Sequence, residues 1–72
     1  MDSFDIFIQQ CIDPESASND MTPFVRIHEK YTNMCKERNI VPLSLLKLSH
    51  KLMERYEKVR RNQIEYRGIR LL

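Results

Sequence analysis

The stretch Arg38-Asn39-Ile40-Val41-Pro42-Leu43-Ser44 limits the possible folds more than any other, because helical patterns lie on both sides of it and no helix can run through it. Pro42 has no amide hydrogen and its ring clashes with a preceding helical turn. Asn39 is one of the few residues besides glycine that accept the left-handed backbone at a helix stop, and Ser44 can offer its hydroxyl to the free amides of a following helix. The corner over residues 39–43 therefore joins two helices at a tight angle.

Upstream of the corner, Phe24, Ile27, Tyr31, Met34 and Cys35 recur at helical spacing, while Arg26, Glu29, Lys30, Asn33, Lys36 and Glu37 take the other faces. This predicts helix 2 over residues 23–38, with Thr22 as its cap and Pro23 at its first position. Downstream, Leu45, Leu48, Leu52, Met53 and Tyr56 form the apolar stripe of helix 3, residues 44–56, opposite Lys47, His50, Lys51 and Glu54. Ser49 falls within the apolar arc, where a small residue permits close packing, and Leu46 sits at its boundary. Near the start, Phe4, Phe7, Ile8 and Cys11 predict helix 1 over residues 3–12, capped by Asp2 or Ser3, with Asp5 in its first turn. The intervening residues 13–21 are polar and rich in turn formers, so they are expected to form a loop, long enough to be mobile.

After Tyr56 the period changes. Ile64 and Tyr66 alternate with Glu65 and Arg67, then Ile69 and Leu71 alternate with Arg70, and the phase shift falls on Gly68 as it would at a β-bulge. Lys58, Val59 and Arg60 supply the partner strand, with Arg61-Asn62-Gln63 as the tip of a hairpin over residues 57–71.

A chain of 72 residues is one domain, residues 1–72, with a small core. Its 42% apolar content argues for a folded globule over a disordered tail. No apolar run reaches the length of a membrane span, and MDSFDIFIQQ has two acids where a signal peptide needs basic residues, so an intracellular location is expected. Cys11 and Cys35 lie on apolar stripes and read as reduced, buried thiols. With one glycine there is no phosphate-binding loop, and no acidic cluster is paired with a plausible pocket. No enzymatic activity, small-molecule substrate or cofactor is expected. Cys11, Cys35, His28 and His50 are scattered singly, without the close pairs of a zinc site, so no metal is expected either.

Charge carries the functional signal. Residues 1–20 hold five acids and no Lys or Arg, whereas all 12 basic residues lie between Arg26 and Arg70, against five glutamates. A basic working surface set against an acidic remainder points to an anionic partner such as nucleic acid. A basic helix after a corner, followed by a basic hairpin, describes an α+β winged helix-turn-helix: three helices, then a C-terminal β-hairpin wing. In that arrangement helix 3 enters the major groove and the wing grips adjacent backbone. The candidate DNA contacts are Lys47, His50, Lys51 and Arg55 from helix 3, with Lys58, Arg60, Arg61 and Arg67 from the wing. Lys47 and Lys51, four residues apart, are expected to project together towards base edges, with the rest on phosphate. The alternatives are a protein-interaction or oligomerisation module of the same fold, docking through Leu46 or Leu71-Leu72, and a small stand-alone regulator that binds DNA as a dimer.

Tyr31 and Cys35 on helix 2, Glu37 before the corner, Pro42-Leu43-Ser44 within it and Tyr66-Arg67-Gly68-Ile69-Arg70-Leu71 near the end carry a resemblance. Together they resemble the C-terminal winged-helix domain of poxvirus-type primase-helicases, superfamily 3 replicative helicases of large DNA viruses, phages and plasmids. Met34 stands where the family often has tryptophan, and Asn39 where it has glycine. The resemblance implies a winged-helix fold and a DNA-binding role in replication, at an origin or fork, in the cytoplasm or nucleus of a host cell. A helicase or a second copy of the chain would be the protein partner; no ATPase activity is implied for these residues.

Overall fold

The computed structural model describes residues 2–72. The elements run α1 (Ser3–Cys11), β1 (Met21–Pro23), α2 (Phe24–Glu37), α3 (Leu45–Arg55), β2 (Glu57–Arg60) and β3 (Ile64–Arg67). Three helices and a three-stranded antiparallel sheet of order β1-β3-β2 make a small α+β domain.

Local chemistry explains where each helix starts and stops. Asp2 caps α1, its carboxylate accepting the Asp5 amide at 2.9 Å. At the end of α2, Asn39 takes a φ of 56°. This lets the Asn39 amide reach the Lys36 carbonyl at 3.3 Å and the Ile40 amide reach the Cys35 carbonyl at 2.9 Å, the paired bonds of a Schellman stop. Ser44 then caps α3 by accepting the Lys47 amide at 3.3 Å. The corner expected from Asn39, Pro42 and Ser44 is present.

The apolar stripes of α1 and α2 face each other. Phe4, Phe7, Cys11, Ile27, Tyr31, Met34 and Cys35 are buried together with Leu48, Leu52, Tyr66 and Ile69. Phe7 meets Tyr31 edge-on with ring centroids 5.6 Å apart. Cys11 and Cys35 are free thiols inside this core, and burial pushes the Cys11 thiol up. Two fully buried tyrosines tie the layers together through their hydroxyls. Tyr31 lies 2.6 Å from the Ser3 hydroxyl and accepts the Leu43 amide at 2.9 Å, joining α2 to α1 and to the corner. Tyr66 lies 2.9 Å from the Ser49 hydroxyl, joining β3 to α3. Burial raises the Tyr31 phenol, which keeps it protonated and able to donate.

Four expectations need correction. Met21–Pro23 is a strand, not loop and helix start: Met21 pairs with Arg67, Thr22 with Tyr66 and Pro23 with Glu65. Three residues ending in proline are too few to show alternation. Thr22 does not cap α2; its buried hydroxyl donates to the Ile69 carbonyl at 2.5 Å, and α2 begins at Phe24 with Pro23 in the cap position.

Residues 13–20 are tied down instead of loose. The Arg70 guanidinium meets the Asp13 carboxylate at 3.0 and 2.7 Å, the Arg70 amide donates to the Ser16 hydroxyl at 2.9 Å, and the Ala17 amide donates to Asp20 at 2.7 Å. Next, the hairpin is shorter than residues 57–71. Gly68, at φ 89°, ends β3 and donates its amide to the Asp20 carbonyl at 2.7 Å. Its left-handed backbone turns the chain out of the sheet, so that Ile69 drops into the core and Leu71 bridges to Ile12. Finally, only Leu48 and Leu52 of the α3 stripe are fully buried; Leu45 is 54% and Met53 42% exposed. The strip of α3 covered by its neighbours is narrower than its apolar arc.

Candidate nucleic-acid interface

With Leu48 and Leu52 pointing inward, the helical period sets Leu46, Lys47, His50, Met53 and Glu54 on the opposite side of α3, and all five are exposed. Ser44 fixes where that helix starts, and the Tyr66–Ser49 bond fixes how it sits on the sheet. The solvent face of α3 is therefore held by two polar ties and two buried leucines.

Lys51 does not share that face. Its ammonium turns to the start of α1, 3.4 Å from the Asp2 carboxylate and 5.8 Å from the centre of the Phe4 ring. The Asp5 amide chiefly, and Lys51 in addition, hold the Asp2 carboxyl below its ordinary range. The expectation that Lys47 and Lys51 project together is thus corrected: Lys51 is occupied at the α1–α3 junction. Arg55, in the last turn of α3, is exposed and suits the negative end of the helix dipole.

The register of the hairpin sorts its cations onto two faces. Lys58 lies opposite Tyr66 and Arg60 opposite Ile64, and residues directly paired across an antiparallel sheet share a face. Because Tyr66 reaches α3 through Ser49, Lys58 and Arg60 belong to the face turned towards that helix. Arg67 lies opposite Glu57 on the other face, with an ion pair at 3.3 Å. Arg61, at the tip, lies 3.6 Å from Glu65, on that same outer face. Of the eight candidates, Lys47, His50, Arg55, Lys58 and Arg60 have no ion pair among the described residues, while Lys51, Arg61 and Arg67 have one each. The structure places Lys47, His50 and Arg55 on α3, and Lys58 and Arg60 on the hairpin face whose Tyr66 is tied to that helix through Ser49.

Apolar side chains interleave with these cations in a way that sequence reasoning only partly caught. Leu46, off the stripe, was legible as a boundary residue. The exposure of Met53 and of Ile64 was not, since both sit on periods that predict burial. Clefts of about 330 Å³ lie on other elements, between α1 and α2 (Gln10, Lys30, Arg38) and beside the C-terminal segment (Arg26, Asn33, Leu72). Among the described residues, no group of three or more His, Cys, Asp or Glu side chains could hold a metal ion, and no helix is long and apolar enough to cross a membrane. Set against protein-family models, curated proteins and solved structures, the chain finds no match.

Proposed function

We propose that the chain is a winged helix-turn-helix module that binds duplex DNA, with α3 in the major groove and the β2–β3 hairpin as the wing on adjacent backbone. The observation that carries this reading is that Lys47, His50 and Arg55 on α3 and Lys58 and Arg60 on the hairpin that follows it have no ion pair among the described residues, with the Tyr66–Ser49 bond tying β3 to that helix. The order of elements, with a short β1 closing the sheet beside β3, suits a winged helix. In this reading Lys47 and His50 approach base edges and phosphate, and Arg55, Lys58 and Arg60 hold phosphates. Arg67 exchanges its exposed and individually weak ion pair with Glu57 for phosphate oxygens, and Arg61, itself exposed but paired with the largely buried Glu65, contacts phosphate from the tip. Lys51 positions α3 against α1. The module carries no catalysis and needs no cofactor. The resemblance through Pro42-Leu43-Ser44 and Tyr66–Leu71 supports an intracellular setting in the replication of a virus, phage or plasmid, at an origin or fork, beside a helicase or a second copy.

An NMR titration with a generic duplex at about 50 mM salt tests it. Amide shifts concentrated on residues 44–67 are expected; absence of shifts, or shifts confined to the far side of α2, would overturn the proposal. The rival reading, a protein-docking module of the same fold, is favoured by the exposure of Leu46 and Leu72. Charge reversal at Lys47 and Arg60 separates the two, abolishing duplex binding in the first and leaving partner binding nearly intact in the second.

A further inference from the structure

The solvent side of α3 contains an arrangement that phosphate binding does not explain. Leu46 is 66% exposed and Met53 lies two turns further on the same side, with His50 between them. Leaving them in water costs Leu46 about two thirds, and Met53 less than half, of the ~1.5–3 kcal/mol that full burial would return. A face meant only to grip phosphates would carry polar residues there. Two apolar side chains are also far short of the ~800 Å² per partner that a stable protein interface covers, and here Lys47 lies on the adjoining arc. The surface matches in size and charge a groove that is anionic at its rims and carries small apolar groups on its floor. The major groove has that chemistry where thymines present their C5 methyls.

Resting on the DNA-binding reading above, we infer that Leu46 and Met53 contact thymine methyl groups, so that the module prefers duplex sites rich in A·T pairs read from the major groove. Lys47 lies beside them on the outward arc and Arg55 follows in the last turn, and Glu54 shares the outward face, where its carboxylate disfavours close approach to phosphate and directs the helix floor-first into the groove.

The test compares two duplexes of alternating A·T sequence, identical except that one carries deoxyuridine at every thymidine. They differ only in the C5 methyl, and alternation presents a methyl in every register. Each methyl contact is worth about three- to fourfold in affinity, so two contacts give about tenfold tighter binding of the thymidine duplex. In the Leu46→Ala/Met53→Ala protein, which alters two exposed positions and should keep its helical circular dichroism, the thymidine-to-uridine ratio should fall to near one. Equal affinity of the natural protein for both duplexes overturns the inference and leaves the DNA-binding reading standing. Binding to neither duplex at low salt overturns the DNA-binding reading itself. Sedimentation showing a dimer that the double variant loses would assign this face to a second copy and likewise overturn the inference.

Discussion

Tyr31 sits where three segments meet, and its hydroxyl is shared between Ser3 of α1 and the Leu43 amide of the corner. Tyr31→Phe keeps the ring and its contact with Phe7 but leaves the Leu43 N–H without that partner, which costs about 1–3 kcal/mol. For a domain of this size that lowers Tm by at least several degrees; an unchanged Tm would mean that the hydroxyl is not a tie. Asp13 offers a second test. The Glu15 amide first, and the Arg70 guanidinium next, hold its carboxyl below the ordinary value of 3.8. A carboxylate with a lower pKa folded than unfolded stabilises fully above the unfolded value and loses that contribution as pH falls through the folded one. Thermal unfolding should therefore be flat in this respect above about pH 5 and decline from about pH 4 downward. Asp13→Asn should be less stable than the natural protein at neutral pH, with the gap closing in acid; a gap that persists would show that the charge is not what matters. The pairing of Lys51 with Asp2, by contrast, was not legible in the sequence. It depends on α1 folding back against a helix 49 residues away, which no local spacing encodes.

Among the elements, the corner was the most legible, because each of its residues acts through its own backbone or its nearest neighbours. Asn39 accepts a positive φ and Ser44 reaches an amide three residues on. The hairpin tip at residues 61–63 was legible for the same reason. Strand β1 was not, since its three residues pair with a strand more than 40 positions later and its Thr22-Pro23 imitates a helix start. The limits of burial on α3 were also hidden: periodicity tells which side of a helix is apolar, not how wide a strip the neighbours cover, so Leu45 and Met53 were misplaced. Gly68 was recognised as a phase shift and turned out to be a strand end. Its φ of 89° is costly for any residue with a Cβ, while an added Cβ would lie 3.7 Å from the nearest Tyr56 carbon, an ordinary contact. Gly68→Ala should thus lose about 1–2 kcal/mol from backbone strain alone. Trimming Tyr56 should not restore it; recovery in such a double variant would point to a clash.

Among the described residues, the acidic first segment and the basic remainder meet at two ion pairs, Asp2 with Lys51 and Asp13 with Arg70. Both join the N-terminal region to later elements, Asp2 to α3 and Asp13 to the segment after β3. The Asp13 pair also raises the Arg70 pKa and commits that guanidinium to the fold. What is left unpaired on α3 and the facing side of the hairpin is the cationic surface of the proposal. The asymmetry itself was plain in the sequence; its division into structural and available charges required the register of β2 with β3 and the rotation of α3. The most direct measurement of the central claim is duplex affinity against salt concentration. If about four to six phosphates are neutralised, log affinity should fall with log salt at a slope of about −4 to −5, and Lys47→Ala or Arg60→Ala should each make that slope shallower by about one. A dissociation constant indifferent to salt, or slopes unchanged in both variants, would contradict the account.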